Sequence, residues 1–275
     1  MRDLVMILLI LILIALLCIY LHISLSWHSI DIISLDAEEF IRKEFDPAFD
    51  TERFRIYINK LLKRFDFLDE NSVIFFTPFY DRKKSQRSLN AHTGLPGQKV
   101  IIFTPGWAAR LYRESFAEKS DGAIIDLFAF VLGHEMTHKE QRRPIFLFGR
   151  KRTCVGWLRE ISSDFGGIRK SGLSAKRVKF CLEKEILDRE DRRQRRYGTK
   201  TMLRPHPTWE YRMKCWKAKR MTKELVEQIC RDCGITDRRF LEKMKRIYVE
   251  KPGAPMKKAG CIERAGRIDE ACRLN

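Results

Sequence analysis

His134-Glu135-Met136-Thr137-His138 follows directly on an apolar run, residues 123–132, and the rest of the chain reads outward from it. In a helix the two histidines lie one turn apart on the same face, where both imidazoles can reach one Zn²⁺, and Glu135 stands beside it. A catalytic zinc takes three protein ligands and keeps a position for water, whose pKa falls to about 7, while an adjacent carboxylate accepts the proton. That is peptide hydrolysis in outline. An amphipathic helix can also carry the pattern by chance, so a third ligand has to decide.

The helix itself is informative. Ile124, Ile125, Leu127, Phe128, Phe130, Val131 and Leu132 nearly surround it, and Asp121 is placed to cap its start. A helix apolar on every side is a buried one, and two histidines and a glutamate at its end must be paired or metal-bound to offset desolvation. Downstream, residues 155–170 read as another helix, with Glu160 and Asp164 at i and i+4 on one face among Trp157, Leu158, Ile161 and Phe165. This spacing suits a third zinc ligand and a carboxylate that orients a ligand histidine. The competing reading is a solvated acidic pair.

The chain has 275 residues, enough for one sizeable core with a small appendage. Lys and Arg outnumber Asp and Glu by 54 to 36, a net charge of +18, spread along the chain with dense runs at 142–152, 189–196 and 214–220. A spread excess describes solvated faces, or an anionic membrane or acidic substrate, better than a nucleic-acid groove, and no specific nucleic acid is expected as partner. Of eight cysteines, Cys230 and Cys233 form a lone CxxC without a second pair or a preceding strand. Unpaired buried or surface thiols account for them better than redox chemistry or structural zinc.

Residues 4–23 are almost wholly apolar and long enough to span a bilayer. An uncleaved anchor is the favoured reading of residues 1–27. Ser24 and Ser26 keep a cleaved signal sequence, and hence a secreted protein, open. Arg2 before the run and the acidic residues after it place the N-terminus in the cytoplasm and the following domain outside. Ser34 or Asp36 caps a short helix that stops near Pro47, and Asp50 or Thr51 starts a second, with Phe54, Ile58, Leu61, Leu62 and Phe65 on one stripe. Residues 72–80 are β-type, 81–88 a polar loop, 90–97 rich in turn formers, and 99–104 a strand that stops at Pro105-Gly106. That strand either offers a free edge to an extended peptide or is an ordinary sheet member. A helix is expected over 107–119, a basic linker over 142–154 with a short apolar patch at 145–148, a helix from Ser174 to about Asp188, and a charged loop over 189–200. Pro205-His206-Pro207-Thr208 then opens a basic helix, with Pro207 in its first turn and Thr208 as cap. The two prolines fix the backbone of His206 so that its imidazole can be aimed. A surface histidine in a rigid turn is the plainer reading. Helices over 222–233 and 237–249 follow, and Pro252-Gly253-Ala254-Pro255 detaches a basic tail, residues 251–275.

Taken together, residues 90–220 resemble the HtpX and CAAX-prenyl-protease type of membrane-associated zinc endopeptidases, which are gluzincins. Four ordered pieces carry the resemblance: Asn90-Ala91 with Pro96-Gly97 and the strand 100–104; the helix ending in the HExxH residues; Glu160-Ile161-Ser162-Ser163-Asp164 followed by Gly167; and His206-Pro207-Thr208-Trp209-Glu210-Tyr211-Arg212. The resemblance implies one catalytic Zn²⁺ held by His134, His138 and Glu160, with Glu135 as general base. It further implies that Asp164 supports the ligand shell, that His206 stabilises the oxyanion, and that Arg212 supports His206 or the substrate. Gly133 and Ser163 stand where alanine is usual, and only residues 139–159 separate His138 from Glu160, fewer than in many relatives. This short connection weakens any transfer of the multi-span members' substrates, prenylated ones included.

The expected fold class is α+β: a mostly α-helical zincin-like metallopeptidase domain, residues 28–250, with a small β-sheet, preceded by one N-terminal transmembrane helix. The expected function is a membrane-anchored zinc metalloendopeptidase acting on a protein or peptide substrate. The alternative from another class is a catalytically silent zinc-binding membrane protein that regulates a partner.

Overall fold

Side-chain caps set where the helices begin. Ser34, Asp50, Ser174, Thr208, Thr222 and Asp237 each accept a backbone N–H from the first turn that follows, satisfying a donor that has no partner inside the helix. The helices they start are α1 (Leu35–Glu44), α2 (Thr51–Leu62), α6 (Ala175–Leu182), α7 (Trp209–Cys215), α8 (Lys223–Asp232) and α9 (Arg238–Tyr248). The computed structural model describes residues 32–68, 72–78, 87, 89–93, 100–141, 147–187 and 206–249. The expected anchor, the charged loop and the basic tail lie outside the described residues, and among those described no helix is long and apolar enough to cross a membrane. The fold is mostly helical with one three-stranded sheet, an α+β arrangement.

The sheet comprises β1 (Val73–Phe76), β2 (Ala91–Thr93) and β3 (Val100–Phe103), in the order β1-β3-β2. β3 runs parallel to β1, with Val73 opposite Val100, and antiparallel to β2, with Ala91 opposite Phe103. The strand nearest the motif helix in sequence is therefore the central one, and the sheet ends on β2. The turn formers of residues 90–97 had concealed that short strand. Thr104 N–H donates to Asn90 O at 3.1 Å and continues the pairing past the last strand residue.

Three helix boundaries also depart from the sequence reading. Helix α3 (Pro105–Glu114) starts at Pro105 instead of Trp107 and ends before residue 119, and Pro105 can open it because proline's missing N–H costs nothing in a first turn. Helix α4 (Ala123–Glu140), which carries the motif, is preceded by Gly122 in the left-handed region, φ 68°, and Asp121 accepts from the Ala123 N–H at 3.0 Å, one position earlier than a conventional cap. Helix α5 (Gly149–Ser171) takes in residues 149–154, which had read as linker. Arg150 and Arg152 lie on its exposed side while Cys154 and Val155 turn into the core.

Phe128 of α4 anchors the core. Its ring meets those of Phe103 at 4.9 Å, Trp107 at 5.6 Å, Phe65 at 6.2 Å and Phe76 at 6.3 Å, so the motif helix is packed onto one face of the sheet and onto α3. On the other face Phe75, Val100 and Ile102 form a small separate cluster.

Helices α4 and α5 run antiparallel and touch through glycines. A Cβ on Gly167 would lie 2.8 Å from the Phe130 carbonyl oxygen, one on Gly133 would lie 3.2 Å from Gly167 Cα, and one on Gly166 would lie 2.0 Å from Thr137 Oγ1. Thr137 cannot easily rotate away, since its hydroxyl donates to the Gly133 carbonyl at 2.8 Å. Gly133, which had looked like a neutral departure from alanine, belongs to this close approach. Gly166→Ala should destabilise the protein by about 1–3 kcal/mol through overpacking, and Gly133→Ala by less, since its nearest neighbours are 3.1–3.2 Å away. Thermal melting checks this: a Gly166→Ala variant that melts no lower than Gly133→Ala would remove the steric argument.

Candidate metal centre

The antiparallel helix pair determines what faces the motif. His134 and His138, one turn apart on α4, point toward Glu160 on α5. His134 Nε2 lies 3.6 Å from one Glu160 oxygen and His138 Nε2 lies 3.3 Å from the other. The two imidazoles stand 4.6 Å apart and nearly perpendicular, at 85°. Ligand atoms of all three residues fall within 4.8 Å of one another, and the group is largely buried. It can therefore hold a metal ion.

Whether the donors suit an ion depends on the far side of each ring. An imidazole offers a lone pair at Nε2 only if Nδ1 carries the hydrogen, and Nδ1 carries it when an acceptor sits there. His134 Nδ1 faces Asp164 Oδ1 at 3.0 Å. His138 Nδ1 faces Ser163 Oγ at 3.0 Å and Gln141 Oε1 at 3.2 Å, and the Gln141 amide is held by donation to Ser163 Oγ at 3.0 Å and to the Arg159 carbonyl at 3.2 Å. Both rings are thus turned to present Nε2 to Glu160, and the residues fit a His₂Glu ligand set.

Asp164 is completely buried, yet every lobe of its carboxylate is met. Besides His134 it accepts from Arg212 Nε at 2.8 Å, from a second Arg212 nitrogen, and from Trp216 Nε1 at 3.1 Å. Arg212, itself buried, stacks on the Trp209 ring at 3.8 Å and extends its third nitrogen to within 3.5 Å of Glu160. The helix α7 therefore brings Arg212 to the two carboxylates of α5.

These contacts set the charges. For Asp164, burial alone would raise the carboxyl pKa, but Arg212 and His134 hold it below the ordinary carboxylate value. Glu160 is pulled well below its usual range by His134, His138, His206 and Arg212, against its burial. Burial alone would depress His134, yet Asp164 and Glu160 outweigh it and push that imidazole up to about 9. Glu160 and Asp164 are thus held in their ionised forms beside the two imidazoles.

Glu135 is buried beside the ligands, and its carboxylate interacts electrostatically with Arg212. His206 stands at the open side of the site, its side chain 69% exposed, with Nδ1 3.1 Å from Glu160, whose carboxylate raises its pKa. Direct contacts thus join His134, His138, Glu160, Asp164, His206 and Arg212 in one cluster. Gln141, Ser163 and Trp216 were not foreseen. Gln141 lies one turn after His138 and Ser163 immediately before Asp164, so polar residues flanking the ligands were the available signal.

Compared with family models, with curated proteins and with solved structures, the chain matches none.

If Asp164 and Gln141 orient the two rings, their loss should weaken metal binding more than folding alone explains. Asp164→Asn is expected to lower Zn²⁺ affinity by about 10–100-fold, and Gln141→Ala by roughly tenfold or less because Ser163 remains. Competition against a fluorescent chelator measures both. Unchanged affinity in Asp164→Asn would show that the carboxylate does not set the ring. Arg212→Met, which leaves the buried Asp164 without its guanidinium partner, should cost about 3–5 kcal/mol of stability, visible as a lowered denaturation midpoint.

Proposed function

We propose that this chain is a membrane-tethered zinc endopeptidase of the kind its four motifs resemble. The observation that carries the proposal is the convergence of His134, His138 and Glu160 from two helices, with the buried Glu135 next to His134 in the chain. Two imidazoles and one carboxylate are the donors of hydrolytic zinc centres, whereas magnesium and calcium favour oxygen alone. A bound zinc ion would supply a Lewis acid and a water of lowered pKa.

The chain's own residues supply the remainder. Glu135 takes up a proton from the attacking water and returns it to the leaving amine. Asp164 and the Gln141–Ser163 pair keep the ligand rings in place while charge develops. His206, exposed beside Glu160 and biased toward its protonated form by that carboxylate, donates to the oxyanion. Strand β2, at the end of the sheet and packed against α4, supports a reading in which an extended peptide lies alongside it, held by backbone hydrogen bonds. The apolar residues 4–23 serve as the tether.

The test uses the full chain in detergent micelles, measuring bound zinc and hydrolysis of an unfolded protein with and without Glu135→Gln. Zinc content should be unchanged and the rate should fall by about 10²–10⁴-fold. Equal rates in both forms would refute the mechanism. Stoichiometric zinc without turnover in the parent would instead favour the silent metal-binding alternative.

A further inference from the structure

The CxxC of α8 has a partner that sequence spacing does not reveal. Cys154, near the start of α5, lies with its Sγ 3.4 Å from Cys230 Sγ, and donates its thiol hydrogen to it across 76 residues of sequence. Cys154 is also within hydrogen-bonding reach of Cys233. Cys154 and Cys230 are wholly buried, while Cys233, at the C-cap of α8, is 9% exposed. Among the described residues no such sulfur contact is made by Cys181 or Cys215, which are also buried. The three sulfurs do not form an ion cage: among the described residues the only group of three donors close enough to share one ion is the histidine–glutamate centre.

We propose that Cys154, Cys230 and Cys233 form an oxidisable thiol site in which Cys154 and Cys230 close to a disulfide joining α5 to α8, with a low-molecular-weight disulfide as oxidant. The sulfurs must approach by about 1.4 Å to reach bonding distance near 2.05 Å, a shift that two side-chain rotations can share. Reaction starts at Cys233, because it is the most exposed of the three and sits on the last, least protected turn of its helix. Its thiolate attacks one sulfur of the oxidant and releases the first small thiol. Cys154 attacks the Cys233 sulfur of this mixed disulfide, releases the second small thiol and makes a Cys154–Cys233 bond. Cys230 then attacks the Cys154 sulfur, and Cys233 returns as a thiol. In total, two protein thiols lose two electrons and two protons, and one oxidant molecule is reduced to two thiols. The bridge lies six residues before Glu160 on the same helix, so it fixes α5 near the metal centre, but its formation does not depend on that centre being catalytic.

The test uses the unaltered full chain in detergent micelles, incubated natively with oxidised glutathione, then alkylated in denaturant and digested. A linked Cys154–Cys230 peptide pair, two hydrogens lighter than the separate peptides and released by dithiothreitol, is the expected product. Cys233→Ala should slow its appearance by about tenfold or more without changing its identity. Recovery of Cys154 and Cys230 as alkylated or glutathione-bearing peptides would overturn the proposal, as would a final product linked only through Cys233.

Discussion

A carboxylate withdrawn entirely from water is stable only when its oxygens are met, and Asp164 is such a group. His134, Arg212 and Trp216 all donate to it, so helices α4, α5 and α7 and the turn after α7 meet at one side chain. The same bonds that hold the elements together fix the tautomer and direction of a ligand imidazole. Fold and site are not separable here. Neutralising that one charge alters the docking of α7 and the aim of His134 at once.

The second constraint is steric. Glu160 meets the two histidines only because α5 lies close against α4, and that approach relies on positions 133, 166 and 167 lacking a Cβ. Side chains there would push α5 outward and carry Glu160, Ser163 and Asp164 with it. The hydrogen bonds of His138 and Gln141 to Ser163 would lengthen in the same movement. Backbone spacing is thereby converted into ligand geometry.

Much of this was legible in the chain. The capping residues Ser34, Asp50, Ser174, Thr222 and Asp237 announce their helices because the signal is local, a polar side chain reaching a nearby N–H. The burial of α4 followed from its apolar residues, and Glu160 with Asp164 from i,i+4 spacing. What was hidden depends on pairing between distant residues. Strand β2 has only three residues among turn formers, too few for periodicity to register. Its presence makes β3 the central strand, which decides between the free-edge and ordinary sheet-member readings in favour of the second. The basic stretch at residues 149–154 looked like a linker because its charges mask its one inward-facing residue, Cys154. Arg212 showed no sign of its buried partner, since a separation of 48 residues from Asp164 leaves no pattern.

The antiparallel pairing of α4 and α5 also bears on the order in which the centre assembles. The contacts of His138 with Ser163 and of His134 with Asp164 span 25 and 30 residues, whereas Arg212 reaches Asp164 from 48 residues further on. Closing the shorter loop loses less chain entropy, and local contacts form sooner. The ligand set therefore belongs to a helical hairpin that can collapse before α7 docks. During that interval Asp164 lacks its guanidinium, so arrival of Arg212 is the step that completes burial of the carboxylate and commits the C-terminal helices to the rest of the fold.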